Sequence, residues 1–303
     1  MTSQELIHES DDTKMREGLT FDNPYELDLD SPAALAATRQ LVDSRVPFID
    51  ATSRPDMAGH GRDLAVYMFD GRDEFASLAM AVEGEIIAKT WQRTPDMTRQ
   101  EMAPYAHNST FFLIVDRAAQ PKVAGVLRIA DCLTGPSETI DYYQQDLPAG
   151  SELPAPLIIS DTDRQQGLWD IVGVFVRDGY LDGRTSVWAY HALYEASLEQ
   201  GVRRWITNVT DKEFGNLNSM GIPFIRMADS EDKYMDRGAG KDPLKFTFCA
   251  CDVKAIELSM LQKIDTLERD AIDIDDPDCK NFLRFAATLA RIALLGAETV
   301  YSR

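Results

Sequence analysis

The segment Gly183-Arg184-Thr185-Ser186 points most directly to chemistry. It follows an apolar run that ends at Val176 and opens a stretch whose apolar residues recur at helical spacing. A helix N-terminus presents unpaired backbone N–H groups and the positive end of its dipole, so it favours an anion such as a phosphate. Arg184, Thr185 and Ser186 add side-chain donors there. The same Thr and Ser suit a plain helix cap, and both readings stand. Arg128, inside the apolar run 123–129, can hold a carboxylate or phosphate by a forked pair of hydrogen bonds. Asp170, beside Trp169 at the start of the run 168–176, can accept a proton directly or through a water, or can be the ion-pair partner of Arg128.

Other chemistries lack their residues. His8, His60, His107 and His191 show no metal spacing, and no Gly-x-Ser-x-Gly elbow occurs. His191 reads as a half-buried helix residue rather than a catalytic one. Of the four cysteines, Cys249-Ala-Cys251 is a C-x-C rather than a C-x-x-C, so buried free thiols are expected, with no metal and no disulfide scaffold.

These residues need elements to position them. Ser31-Pro32 opens a helix with a Ser cap and Pro at its first position. Residues 64–69 read as a buried strand, and 73–91 as a helix with Phe75, Leu78, Ala79, Val82, Ile86 and Ile87 on one side. A second helix is expected over 98–106, then two strands at 111–115 and 123–129 around a tight polar turn. Residues 132–167 carry four prolines and read as a long loop with one short helix near 140–144. A central strand at 168–176 follows, then a helix over 185–199, a strand over 203–209, a short helix over 213–220, strands at 224–227 and 244–253, and two tail helices separated by the acidic stretch 273–278. Three regions result: an acidic N-terminal extension (1–62), a central domain (63–253) and a helical C-terminal extension (254–303).

In 303 residues, 31 Lys and Arg stand against 50 Asp and Glu, a net charge of −19. That balance argues against nucleic acid and anionic membranes as partners. No apolar run is long enough to span a bilayer, and the acidic N-terminus lacks the features of a secretory signal, so a cytoplasmic protein is expected.

The order strand, helix, helix, hairpin, strand, helix, strand, helix, two strands over residues 64–253 resembles the GNAT acyltransferase fold: an α/β (α+β) class with a mixed, mostly antiparallel central sheet flanked by helices. Leu127-Arg128-Ile129-Ala130, Thr134-Gly135-Pro136 and Leu168-Trp169-Asp170-Ile171 are similar to the strand arginine, the Thr-Gly-Pro turn and the Trp-Glu strand of the acyl-homoserine-lactone synthase branch. Asp170 stands where that branch has glutamate, and Gly173 where it has a second arginine. Gly183 is followed by Arg184 and Thr185 rather than by the Gly-x-Gly/Ala of coenzyme A-dependent relatives.

The resemblance implies an N-acyltransferase that moves an acyl group from a coenzyme A or acyl-carrier-protein thioester, a co-substrate and not a bound cofactor, to the amine of a small polar metabolite. It implies a backbone N–H near Phe175 or Val176 for the oxyanion, Asp170 as proton acceptor, and Tyr180 or Tyr194 as acid for the thiolate. Arg128 and Trp169 would meet the substrate. Val176, Gly183, Arg184, Thr185, Ser186 and Asn208 would hold the thioester. Possible partners are an acyl carrier protein and a second copy of the chain. Two rival readings are a catalytically silent GNAT-like binding module and an acyltransferase acting on a protein amine, toward which a charge of −19 would steer a basic substrate.

Overall fold

The computed structural model describes residues 22–50, 62–145, 160–181, 184–227, 233–235, 237 and 240–270. Among these, nine strands form one sheet. In chain order they are β1 (Ile49–Asp50), β2 (Leu64–Asp70), β3 (Ser109–Asp116), β4 (Lys122–Asp131), β5 (Leu168–Val176), β6 (Arg204–Thr210), β7 (Ile225–Arg226), β8 (Lys233–Met235) and β9 (Leu244–Asp252). The sheet runs β1-β2-β3-β4-β5-β6-β9-β7, with β8 also on β9. Every pairing is antiparallel except β5 with β6. The mixed, mostly antiparallel class expected from the element order is therefore what the chain adopts.

The helices are α1 (Pro32–Ser44), α2 (Ala76–Trp91), α3 (Pro95–Met102), α4 (Glu138–Gln145), α5 (Asp161–Gln166), α6 (Arg184–Gln200), α7 (Asp211–Ser219) and α8 (Val253–Asp270). Local chemistry sets their starts. The Ser31 side chain accepts from the Ala34 N–H and Pro32 occupies the first turn of α1. Thr94 does the same for α3, with Pro95 next, and this is why α3 begins before the expected residue 98; the chain then tightens into a 3-10 turn over Ala103–Asn108. Reciprocal capping boxes open α5 (Ser160 with Asp163) and α7 (Thr210 with Glu213). Among the described residues two helices, α4 and α5, and not one, thus lie within the expected long loop.

Each face of the sheet carries a core. On one, Phe112, Leu127, Ile129, Trp169 and Ile171 pack with Val187, Trp188 and Leu193 of α6 and with Ile256 and Met260 of α8. On the other, Phe111, Leu113, Val115 and Val126 meet Leu78, Ala79 and Val82 of α2 and Ala34, Ala37 and Leu41 of α1. Full burial of each such large side chain contributes roughly 1.5–3 kcal/mol. Tyr25, Leu29 and Ile49, from the acidic N-terminal stretch, belong to these cores, and Ile49 pairs with Val66. β1 and β8, two and three residues long, are too short for any pattern to betray. The second expected tail helix lies outside the described residues.

Candidate active site

The parallel ladder between β5 and β6 is short. Leu168 pairs with Arg204, Trp169 with Trp205 and Asp170 with Ile206, and there it ends. One residue on, the Thr207 hydroxyl donates to the Ile171 carbonyl at 2.9 Å. Beyond this point the edge of β5 facing β6 has no strand partner among the described residues. β6 goes on pairing with β9 as far as Thr210, and β5 with β4 as far as Val176. The two neighbouring strands therefore enclose a wedge that widens from Asp170 toward Val176.

A bulge helps to open it. Arg128 opposes Gly173 while Ile129 opposes Ile171, which leaves Val172 as the extra residue on β5. A bulge bends its strand and sharpens the local twist. Exposure follows: Val172, Gly173, Val174 and Val176 are only partly buried, although β5 lies in the middle of the sheet. Backbone amides on that open edge can bind a ligand oxygen because no neighbouring strand takes them.

Helix α6 begins at the wide end of the wedge. The Thr185 hydroxyl donates to the Tyr180 carbonyl at 3.2 Å, which ties the first turn to the loop leaving β5. Gly125 lets the helix come this close. A Cβ there would lie 2.7 Å from the Phe175 carbonyl oxygen and 3.1 Å from Thr185 Cγ2. Thr185 is buried and Ser186 partly exposed; the side chain of Arg184, and Gly183 itself, lie outside the described residues. Asn208, on β6 past the parting, is partly exposed.

The narrow end of the wedge is polar. Asp170 is fully buried and accepts hydrogen bonds from Ser137 Oγ (2.7 Å), the Thr139 N–H (2.8 Å) and Thr139 Oγ1 (2.6 Å). It thereby fastens the start of α4 to β5. Burial pushes its carboxyl up, and the Thr139 and Ser137 bonds oppose that shift. The structure does not pair it with Arg128. That guanidinium, also fully buried, donates to Glu83 Oε2 at 3.1 Å, to Ser109 Oγ at 2.8 Å and to the Met102 carbonyl at 3.4 Å, with the Phe111 ring beneath it. Burial works against its charge, and Glu83, Tyr25 and Glu138 together more than offset this. For Glu83, burial raises the carboxyl and Arg128 opposes.

The other expected site residues are dispersed. Trp169 is buried in the core beneath α6. The Phe175 side chain turns to the α2 side, and its backbone N–H, opposite Val126 and two residues before the Arg177 N–H that bonds the Ala124 carbonyl, faces β4; the amides of Val174 and Val176 face the wedge instead. The Tyr180 hydroxyl lies 3.4 Å from Asp116 on β3, under the guanidinium of Arg62, and burial raises its phenol. Tyr194 is buried, its phenol raised by burial and by Glu257 of α8. His191 is fully buried beside Glu195. Among the described residues no group of His, Cys, Asp and Glu has the arrangement of a metal site, and no helix is long and apolar enough to cross a membrane.

Sequence reasoning missed Thr207, Glu83 and Glu138. Glu83 carried a signal: it lies on the stripe Ala79, Glu83, Ile87 of an otherwise apolar helix face and so calls for a buried cation. Glu138, first residue of α4, has its Oε2 buried without a hydrogen-bond partner, and burial followed by the Asp170 charge pushes its carboxyl up to about 8.

No family model and no curated protein matches the sequence. Among solved structures the chain is similar to a CoA-dependent acyl-homoserine lactone synthase, BjaI, with MTA: 13% identity over 65% of this chain and 88% of that one, TM-score 0.45. It is similar to FeeM, an N-acyl amino acid synthase from uncultured soil microbes, at 12% identity over 70% of this chain and 99% of that one, TM-score 0.44. The NatC complex bound to Gag peptide and CoA is matched at 12% identity over 62% and 98%, TM-score 0.37.

Proposed function

We propose that the protein is an N-acyltransferase that moves an acyl group from a coenzyme A or acyl-carrier-protein thioester to the amine of a small polar metabolite. The observation that carries this reading is the parting of β5 from β6 after Asp170, with the bulge at Val172 and the N-terminus of α6 at the wide end. The pantetheine arm enters the wedge and lies along the free edge of β5 and past Asn208. The diphosphate sits on the first amides of α6, with Thr185 and Ser186 beside it. A backbone N–H on the open edge of β5 meets the thioester oxygen as it becomes an oxyanion, a role whose loss typically costs ~10²–10³ in rate. Asp170 acts by position: it holds the start of α4 at the narrow end, where the acceptor amine arrives. Arg128 supports that end from beneath through Glu83 and Ser109.

The test mixes purified protein with acyl-CoAs of several lengths and a panel of small amines and follows free thiol. Thiol release that depends on the amine, together with a rise in melting temperature on adding coenzyme A, supports the reading. Failure of both rejects it and favours the binding-module alternative.

A further inference from the structure

The polar neighbourhood at the narrow end holds unpaired acceptors. Three buried oxygens there, Glu83 Oε1, Asn108 Oδ1 and Glu138 Oε2, have no hydrogen-bond partner. Glu83 is 0% and Asn108 6% exposed. The Asn108 amide is oriented by its own bonds, since Nδ2 donates to the carbonyls of Asp131 (3.0 Å) and Pro136 (2.9 Å), leaving Oδ1 free. Chain and contacts bring the three together. Arg128 bonds both Glu83 and Ser109, the residue after Asn108, and Pro136 stands two residues before Glu138. The charges that face Glu138 are Asp170 of β5, Arg128 of β4, Glu83 of α2 and Glu101 of α3, with the phenols of Tyr25 and Tyr105 nearby. Glu101 also reaches Arg93 at 3.5 Å. Around Glu138 there are thus three carboxylates to one guanidinium.

A primary ammonium has three donors, no acceptor and one positive charge, which is the complement of this neighbourhood. Glu138 is partly exposed as a residue, although its Oε2 is buried. Thr139, the next residue, bonds Asp170 at the point where the wedge begins. An amine at Glu138 therefore stands at the narrow end of the wedge.

We infer that Glu138, with Glu83 Oε1 and Asn108 Oδ1, binds the ammonium group of the acyl acceptor and that Glu138 takes its first proton. This rests on the acyltransferase reading above. The carboxylate of Glu138 accepts one proton from the ammonium. The freed lone pair forms the C–N bond to the thioester carbonyl carbon, and the C–S bond breaks as the oxyanion collapses. The second amine proton leaves with the thiolate as thiol, and Glu138 returns its proton to water. Burial and the neighbouring Asp170 charge push the Glu138 carboxyl up to about 8, so it is mostly protonated at neutral pH before an amine binds, and the positive charge of the arriving ammonium favours the carboxylate that takes its proton.

Two measurements test this, and they fail separately. In the first, ethanolamine and 1,4-diaminobutane are compared with tetramethylammonium at equal ionic strength by thermal melting, on wild type and on Glu138→Gln. The primary amines are expected to raise the wild-type melting temperature and to leave the variant unmoved. Equal effects of all three cations on wild type, or equal shifts in both proteins, overturn the ammonium site whatever the enzyme does. In the second, thiol release is followed from pH 6 to pH 10. Glu138→Gln is expected to lose ~10²–10⁴-fold in rate at neutral pH, and to recover as the pH approaches the amine's own pKa and neutral amine is supplied by solution. Glu138→Asp keeps part of the rate. An active wild type matched by Glu138→Gln at every pH overturns the role of Glu138 and leaves the acyltransferase reading intact. A wild type that releases no thiol and does not bind coenzyme A rejects that reading and, with it, the proton transfer.

Discussion

Replacing Arg128 by methionine removes the guanidinium that faces Glu83 and keeps much of the side-chain volume. In the native protein the two groups are 3.1 Å apart, with side chains 0% and 1% exposed, so neither is solvated by bulk water. Breaking such a pair leaves one uncompensated buried charge, which costs about 3–5 kcal/mol. The bonds to Ser109 and the Met102 carbonyl go with it, and Ser109 Oγ loses a donor while still giving its own proton to the Tyr105 carbonyl. Glu83 can escape part of the penalty by taking up a proton, so the loss should be larger at pH 8 than at pH 5. Urea unfolding of wild type, Arg128→Met, Glu83→Met and the double variant, followed by tryptophan fluorescence, measures each free energy. Trp205 is fully buried and reports on the core. The double variant should recover at least half of the stability lost by Arg128→Met, since apolar residues of similar volume replace a buried pair with little net cost. A loss below about 1 kcal/mol for Arg128→Met, or a double variant no more stable than the single one, would refute the view that the pair sits uncompensated by water.

Three further outcomes are expected. Gly125→Val places a side chain against the Phe175 carbonyl and Thr185 Cγ2, so it should displace the first turn of α6, cost about 1–3 kcal/mol of stability and weaken coenzyme A binding; calorimetric titration showing wild-type affinity would count against the contact. Thr207→Val removes the bond to the Ile171 carbonyl and should cost about 0.5–1.5 kcal/mol in urea unfolding, with unchanged stability as the adverse result. Glu138 titrates near 4.5 in the unfolded chain and about 8 in the folded one, so between those values the folded state holds a proton the unfolded state has released. Its stabilising contribution is complete below about 4.5 and is lost as pH rises through about 8, at up to ~1.4 kcal/mol per pH unit. Unfolding free energies between pH 5 and pH 8 should fall more steeply for wild type than for Glu138→Gln, and parallel curves would contradict the shift.

Much of the frame was legible because it rests on short-range signals. Ser31-Pro32 announces α1, and the long apolar runs announce β3, β4 and β5. The start of α6 was legible for the same reason, and with it the idea of an anion at Thr185 and Ser186. What was hidden depends on register and on tertiary partners. The run Leu168–Val176 is almost continuously apolar, so nothing in it marks Val172 as the bulged residue or Asp170 as the last paired one. Thr207 and Asn208 read as ordinary strand residues; only their neighbour's departure makes them the lining of a wedge. Arg128 and Asp170 were recognised as residues with work to do, but their partners, Glu83 in one case and Ser137 with Thr139 in the other, come from segments whose approach no local pattern encodes. Glu83 was the readable exception, a carboxylate on an apolar stripe.

The central claim is that the gap between β5 and β6 receives an acyl thioester. A crystal structure with bound coenzyme A tests it most directly. The pantetheine arm should lie between Val172–Val176 and Thr207–Thr210, with its diphosphate on the amides of Thr185 and Ser186. Coenzyme A bound elsewhere on the chain, or a wedge closed by continued pairing of β5 with β6, would contradict the claim.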